Sequence, residues 1–281
     1  MDIIDFHTHT FPDNIAPKAI DKLSKSANII NYLNGTDDGL IQSTQENNIS
    51  LSVVLPVATR PEQSNDINAA SVKKNQHTDV TRLLYFAAIH PEDSNIRLKL
   101  NSIKTAGFKG IKLHPAYQAV PINDSLYLHI IDIASELGLI TVIHAGYDFS
   151  CPDSTECSVP LLLDMINKVH PDNLVLAHMG GLMEWDLVIK YLVGANIYFD
   201  TSFSLTPIRA LNKSLISHPD TLSAEEFIKI ARAHGVDKIL FGSDSPWSSQ
   251  PASISSVINS GLSQDEINQI LASNAKRLLG I

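Results

Sequence analysis

The sequence predicts an α/β fold arranged as a (β/α)8 barrel. Eight short β-rich apolar runs alternate with stretches of helical periodicity, and most of those runs end in a polar residue. The chain length of 281 residues suits such a barrel, whose typical size is about 250 residues. An open doubly wound sheet is the alternative. It normally carries a Gly-rich phosphate turn after an early strand, and the sequence has none there.

Taken in order, the expected strands are residues 3–7, 51–57, 83–89, 110–114, 140–144, 174–178, 195–200 and 238–243. Helical spacing of apolar residues runs through Leu98, Leu100 and Ile103, and again through Leu128, Ile130, Ile131 and Ala134. Residues 159–169, 185–192 and 227–233 follow the same pattern. Ser223 with Glu226, and Ser263 with Glu266, form capping boxes that start the last two helices, the final one closing the chain at 266–279. Residues 10–37 and 202–222 are expected to be insertions after the first and seventh strands, on the face where a barrel carries its active site. Without an internal repeat beyond the βα period, residues 1–281 are expected to form one domain.

Composition narrows the partners. The net charge is −9, with 30 acidic against 21 basic residues, and Lys and Arg form no dense stripe. Phosphate neutralisation dominates nucleic-acid binding, so a small-molecule substrate is the better expectation. No stretch approaches the ~20 apolar residues of a membrane span. Asp2 and Asp5 occupy the region where a signal peptide would be apolar, so a cytoplasmic protein is expected. Cys151 and Cys157 are the only cysteines and read as reduced thiols in one loop.

The strand ends carry the chemistry. His7 and His9 lie two residues apart, and in a strand that spacing directs both imidazoles to one face. Imidazole suits zinc and its first-row neighbours, so the pair reads as a metal-binding strand, with a polar edge strand as the structural alternative. Arg60, His90, Lys112, His114, His144, His178, Asp200 and Asp244 also fall at or just beyond strand ends. That end of a barrel is where catalytic groups sit. Five other histidines, His77, His129, His170, His218 and His234, fall in helices or loops.

Four segments together resemble the amidohydrolase superfamily, in the branch typified by aminocarboxymuconate-semialdehyde decarboxylase. They are Asp5-Phe-His-Thr-His9, Val142-Ile-His-Ala-Gly146, Leu176-Ala-His-Met-Gly-Gly181 and Leu240-Phe-Gly-Ser-Asp-Ser-Pro-Trp247. The resemblance implies a divalent metal, zinc or manganese, held by His7, His9, His144 and Asp244. It further implies that Asp244 acts as general base and that His178 acts as acid/base or binds a second ion. Lys112 has three readings: a carboxylated lysine bridging two metals, a free ammonium facing a substrate carboxylate, or a structurally paired lysine. One ion is expected, and two if Lys112 is carboxylated. Arg60, His114 and Tyr147 are expected to contact substrate, and Asp200 to orient a histidine or cap a helix.

The reaction implied is hydrolysis of a small, carboxylated ester, lactone or amide, with non-oxidative decarboxylation of a conjugated or aromatic acid as the alternative. A non-catalytic barrel and a TatD-type nuclease fit less well; the acidic charge and the absence of a glutamate on the fourth strand disfavour the nuclease. A homodimer is compatible with the fold.

Overall fold

The structure, a computed structural model, describes residues 1–212 and 221–281. Residues 213–220, which include His218 and part of the second expected insertion, lie outside the described residues. The strands are β1 (Ile4–Thr8), β2 (Leu51–Val54), β3 (Leu83–Tyr85), β4 (Ala87–Ala88), β5 (Gly110–Leu113), β6 (Ile140–Ile143), β7 (Leu174–Leu176), β8 (Tyr198–Asp200) and β9 (Ile239–Leu240). All pairings are parallel, in the orders β1-β2-β3 and β4-β5-β6-β7-β8-β9. β3 and β4 are two halves of one expected strand, interrupted at Phe86, whose N–H bonds the Val54 carbonyl at 3.0 Å.

The first and last strands meet. Phe6 N–H donates to the Phe241 carbonyl (2.8 Å), Asp244 N–H to the His7 carbonyl (2.8 Å) and His9 N–H to the Ser245 carbonyl (2.7 Å). With helices between successive strands, this is the (β/α)8 barrel that the alternation predicts.

Fully buried apolar side chains fill two layers. Phe6, Val53, Phe86, Val142, Val175 and Leu240 form one cluster, and a larger one joins Leu113, Ile143 and Leu176 to helical residues such as Leu100, Ile130 and Leu162. Such near-continuous apolar strands are what a parallel sheet covered on both faces requires.

Three departures from the sequence reading have local causes. The expected first insertion contains the amphipathic helix Ala16–Ala27 and the start of the helix Asp37–Glu46, which Thr36 caps by accepting the Gly39 N–H. The eighth strand is short because residues Val236–Lys238 turn as a 3-10 helix. The closing helix is not regular: a π-helical turn at Gln269–Ser273 separates Gln264–Asn268 from Asn274–Leu279. Within it the Ile270 carbonyl accepts the Phe241 N–H at 2.9 Å, so a helix carbonyl is diverted to hold the strand end.

Candidate metal centre

β1 carries one residue more than β2 between the pairs Asp5–Ser52 and Thr8–Val54, which is a β-bulge. The bulge sends Asp5 and His7 to different surroundings although they are two residues apart. The Asp5 carboxylate accepts from Ser243 N–H (2.9 Å), Ser243 Oγ (2.6 Å) and Gln250 Nε2 (2.8 Å). Burial pushes this carboxyl up to about 6 against those bonds. His7 instead joins His9, Lys112, Asp200 and Asp244.

The site is compact. His9 Nε2 lies 3.2 Å from Asp244 Oδ1, and His7 Nε2 lies 3.6 Å from the same oxygen. Lys112 Nζ is 3.2 Å from His7 Nε2 and 1% exposed. Ligand atoms of His7, His9 and Asp244 all fall within 4.8 Å of one another. His144 stands beside His178, with Nδ1 and Nε2 separated by 3.0 Å.

Hydrogen-bond partners fix the tautomers. A carbonyl or carboxylate can only accept, so the nitrogen facing it carries the proton. His9 Nδ1–H donates to the Leu55 carbonyl (2.8 Å), His178 Nδ1–H to the Ser202 carbonyl (3.0 Å) and His7 Nδ1–H to Asp200 Oδ2 (2.8 Å). His7 and His178 therefore present Nε2 as a lone pair, whereas His9 Nε2 also faces an acceptor, Asp244 Oδ1, and needs a proton or a cation between them. The Nε2 atoms of His7 and His9 face each other at 3.1 Å. Two lone pairs at that separation repel unless a cation or proton lies between them. Two imidazoles and a carboxylate, with His144 and His178 alongside, are a donor set that suits zinc or manganese, so these residues fit the ion.

Burial disfavours the charged form of three of the imidazoles. It pushes His7 down to about 4, with the Lys112 charge adding to the shift, and it lowers His144 and His178 in the same way. Burial also brings the Lys112 ammonium down to about 8. For Asp244, burial opposes ionisation, but the hydrogen bond from His9 and the fields of His7 and His178 outweigh it and hold the carboxyl well below its usual range. Asp200 behaves alike, held ionised by His7, His178 and Ser202.

His178 reaches the site through a left-handed turn: His178, Met179 and Gly180 have φ of 59°, 54° and 87°. Gly180 is required there, because a Cβ would meet the Phe199 ring at 2.8 Å.

A cavity of about 510 Å³ opens over the cluster, walled by Phe11, Leu55, Tyr117, Asp148 and Trp247, with Lys22 at its edge. Lys112 and His114 both line it. Arg60 is exposed and Tyr147 packs edge-to-face on Phe149 at 5.1 Å; neither lines the cavity, and Tyr117 stands where an aromatic wall is needed. Cys157 is buried with its thiol bonded to the Gly146 carbonyl, and Cys151 borders the cavity. His90 is a loop brace: its N–H donates to Asp93 Oδ2 and its Nδ1 accepts the Glu92 N–H.

His114, His144 and Asp148 form a second group of donors within 4.8 Å. His114 Nδ1 accepts the Tyr117 N–H at 3.4 Å, so its Nε2 is protonated and is no metal donor. Ser202 is the residue sequence reasoning missed. Its Oγ lies 3.0 Å from both His7 Nδ1 and His178 Nδ1 and also bonds Asp200. Its position two residues after Asp200 was the available signal.

A search of curated protein sequences returns no match. The chain is similar in structure to 5-carboxyvanillate decarboxylase LigW from Sphingomonas paucimobilis, at 10% identity and a TM-score of 0.69, over 100% of this chain and 99% of that one. It is also similar to a dihydroxybenzoic acid decarboxylase from Polaromonas sp. JS666 with bound manganese and the inhibitor 2-nitroresorcinol (14% identity, TM-score 0.70, 99% and 97% covered). A third is a probable 2-pyrone-4,6-dicarboxylic acid hydrolase from Acinetobacter baumannii with citric acid bound (19% identity, TM-score 0.66, 100% of both chains covered). At such identities the likeness speaks to fold alone. The amidohydrolase family model matches residues 4–281, spanning all of the strands and the donor cluster. The chain belongs to the amidohydrolase family.

Proposed function

We propose that the protein is a metal-dependent hydrolase of a small ester, lactone or amide that carries a carboxylate. The observation that carries this reading is the pair of facing imidazole nitrogens beside Asp244, at the floor of a cavity large enough for such a molecule. His7, His9 and Asp244 would hold the ion, with His144 completing the set. Once bound, the ion would supply Lewis acidity, bringing the pKa of a water toward about 7 and polarising a carbonyl.

The chain's own residues do the rest. Asp244, kept ionised by its histidine neighbours, takes the proton of the attacking water and returns it to the leaving group. His178, anchored at Nδ1 by the Ser202 carbonyl, offers only Nε2 to the reacting oxygen. Asp200 and Ser202 keep His7 and His178 in register. Lys112 as an ammonium, and Lys22 at the cavity edge, would draw a carboxylated substrate in.

Decarboxylation is the second reading. Lys112 is a cation inside the cavity, which a departing carboxylate needs. One observation weighs against it: Arg60, which could have joined Lys112 in holding the departing carboxylate, is exposed outside the cavity.

A screen of carboxylated lactones, amides and aromatic acids, following acid release and CO2 together, tests the reading. Acid release without CO2 is expected, with about one equivalent of zinc or manganese per chain, or two if Lys112 is carboxylated. CO2 evolution at turnover would replace hydrolysis by decarboxylation. Turnover retained in His7→Ala or Asp244→Ala would exclude both.

A further inference from the structure

Besides His114, four histidines gather at this site, and three of those four have their second nitrogen tied to an oxygen at hydrogen-bond distance: His7 to Asp200, His9 to the Leu55 carbonyl and His178 to the Ser202 carbonyl. His144 is different. Its Nε2 is buried and has no hydrogen-bond partner. The oxygen set opposite it is Asp148 Oδ2, at 3.6 Å.

Asp148 is built into place. Its Oδ1 accepts the backbone N–H groups of Ser150 (2.8 Å) and Cys151 (3.0 Å), which leaves Oδ2 for the imidazoles. That Oδ2 is also 3.6 Å from His114 Nε2, which carries a proton because His114 Nδ1 accepts from Tyr117. The rings are held in plane by a three-layer stack. Tyr117 lies on His114 with centroids 3.9 Å apart, and His114 lies on His144 at 4.1 Å, each pair inclined by 9°.

We propose that Asp148 is a positioning residue that selects the metal-facing tautomer of His144. The proposal rests on the reading of this cluster as a metal centre. Without an ion a proton must lie between His144 Nδ1 and the His178 Nε2 lone pair, 3.0 Å apart; with an ion in its place, a carboxylate opposite His144 Nε2 favours the proton on that nitrogen and leaves Nδ1 as a lone pair toward the ion. Partners of this kind fix ring orientation and raise ligand basicity, and their loss typically weakens metal affinity by about 10–100-fold. His114 sets a second N–H 3.6 Å from the same oxygen.

The test titrates the full-length, chelator-stripped protein with Zn2+ alone, as wild type, Asp148→Ala and Asp148→Asn. Asp148→Ala is expected to weaken Zn2+ binding by about 10–100-fold. Asp148→Asn is expected to be worse still. Its carboxamide oxygen can keep the Ser150 and Cys151 bonds, but its NH2 then confronts His144 Nε2, which must accept and so shifts the proton to Nδ1. A carboxylate that merely braced the loop would give the reverse order, with Asn tolerated better than Ala, and that order overturns the proposal. Long-range proton–nitrogen NMR of zinc-loaded wild type provides a check that needs no variant. A proton on His144 Nε2 is expected; a proton on Nδ1 sinks the idea. Wild type that binds no Zn2+ overturns the metal reading and the proposal together, whereas binding with the reverse variant order overturns the proposal alone.

Discussion

His234 shows how one buried ring makes stability depend on pH. Its Nε2–H donates to the Ile197 carbonyl (2.9 Å), its Nδ1 accepts the Gly194 N–H (3.2 Å), and it stacks on Phe199 with centroids 3.9 Å apart. Every polar atom of the neutral ring is satisfied, and a second proton would set two N–H groups against each other. Burial pushes the pKa from 6.5 down to about 4. The unfolded chain therefore binds a proton near pH 6.5 that the folded chain refuses until about pH 4. This contribution is whole above pH 6.5 and is lost as pH falls toward 4, at a slope on the order of 1 kcal/mol per pH unit. Urea unfolding at pH 7 and pH 5 should show the decline, and His234→Gln should flatten it. An unchanged slope in the variant would remove His234 as the cause. The same residue marks a limit of sequence reading, which placed it only among the histidines of helices and loops, because its ring partners lie about 35 to 40 positions away.

At the scale of elements, the junction of β3 and β4 is held by side chains of the helix Gln63–Asn75. Asn75 donates to the Tyr85 carbonyl (2.9 Å) and accepts the Tyr85 N–H (2.7 Å). Asn68 does the same for Ala88 at 2.9 and 2.8 Å. Two amides seven residues apart, on one helix face, thus satisfy the backbone beside the break. Removing one orphans a donor and an acceptor, at about 1–3 kcal/mol for each buried group. Asn75→Ala should lower the urea midpoint accordingly while leaving zinc content unchanged; a midpoint equal to wild type would show that water replaces the amide. The alternation of strands and helices was legible because apolar runs and capping boxes are local signals. The break at Phe86, the bulge in β1 and the π-helical turn were not, since each answers to a partner in a neighbouring element rather than to local sequence. The same holds within the site. His7, His9 and Asp244 were readable from their strand ends, whereas the role of Ser202 depends on which strand ends meet, and that of Asp148 on how its own loop folds back over His144.

For the whole molecule, donors of the centre come from opposite ends of the chain. His7 and His9 belong to β1 and its exit, and Asp244 follows β9, whose neighbours already bond to β1. An ion between them would tie the first strand to the last and act as a stabilising ligand of the folded state alone. At a free ion concentration 100 times Kd, that linkage amounts to about 2.7 kcal/mol. Chelation should therefore lower the Tm, zinc or manganese should restore it, and Asp244→Asn should abolish the response while remaining folded. A Tm indifferent to chelation would contradict an ion at this position.

Asp244 occupies the left-handed region, with φ of 66°. Few side chains rest there without cost; Asn and Gly do so most easily. Drift at this codon is thereby channelled: exchanges that keep the barrel intact are those that silence its carboxylate. A descendant that traded turnover for another livelihood would carry that trade openly, as a single amide or a bare backbone at position 244.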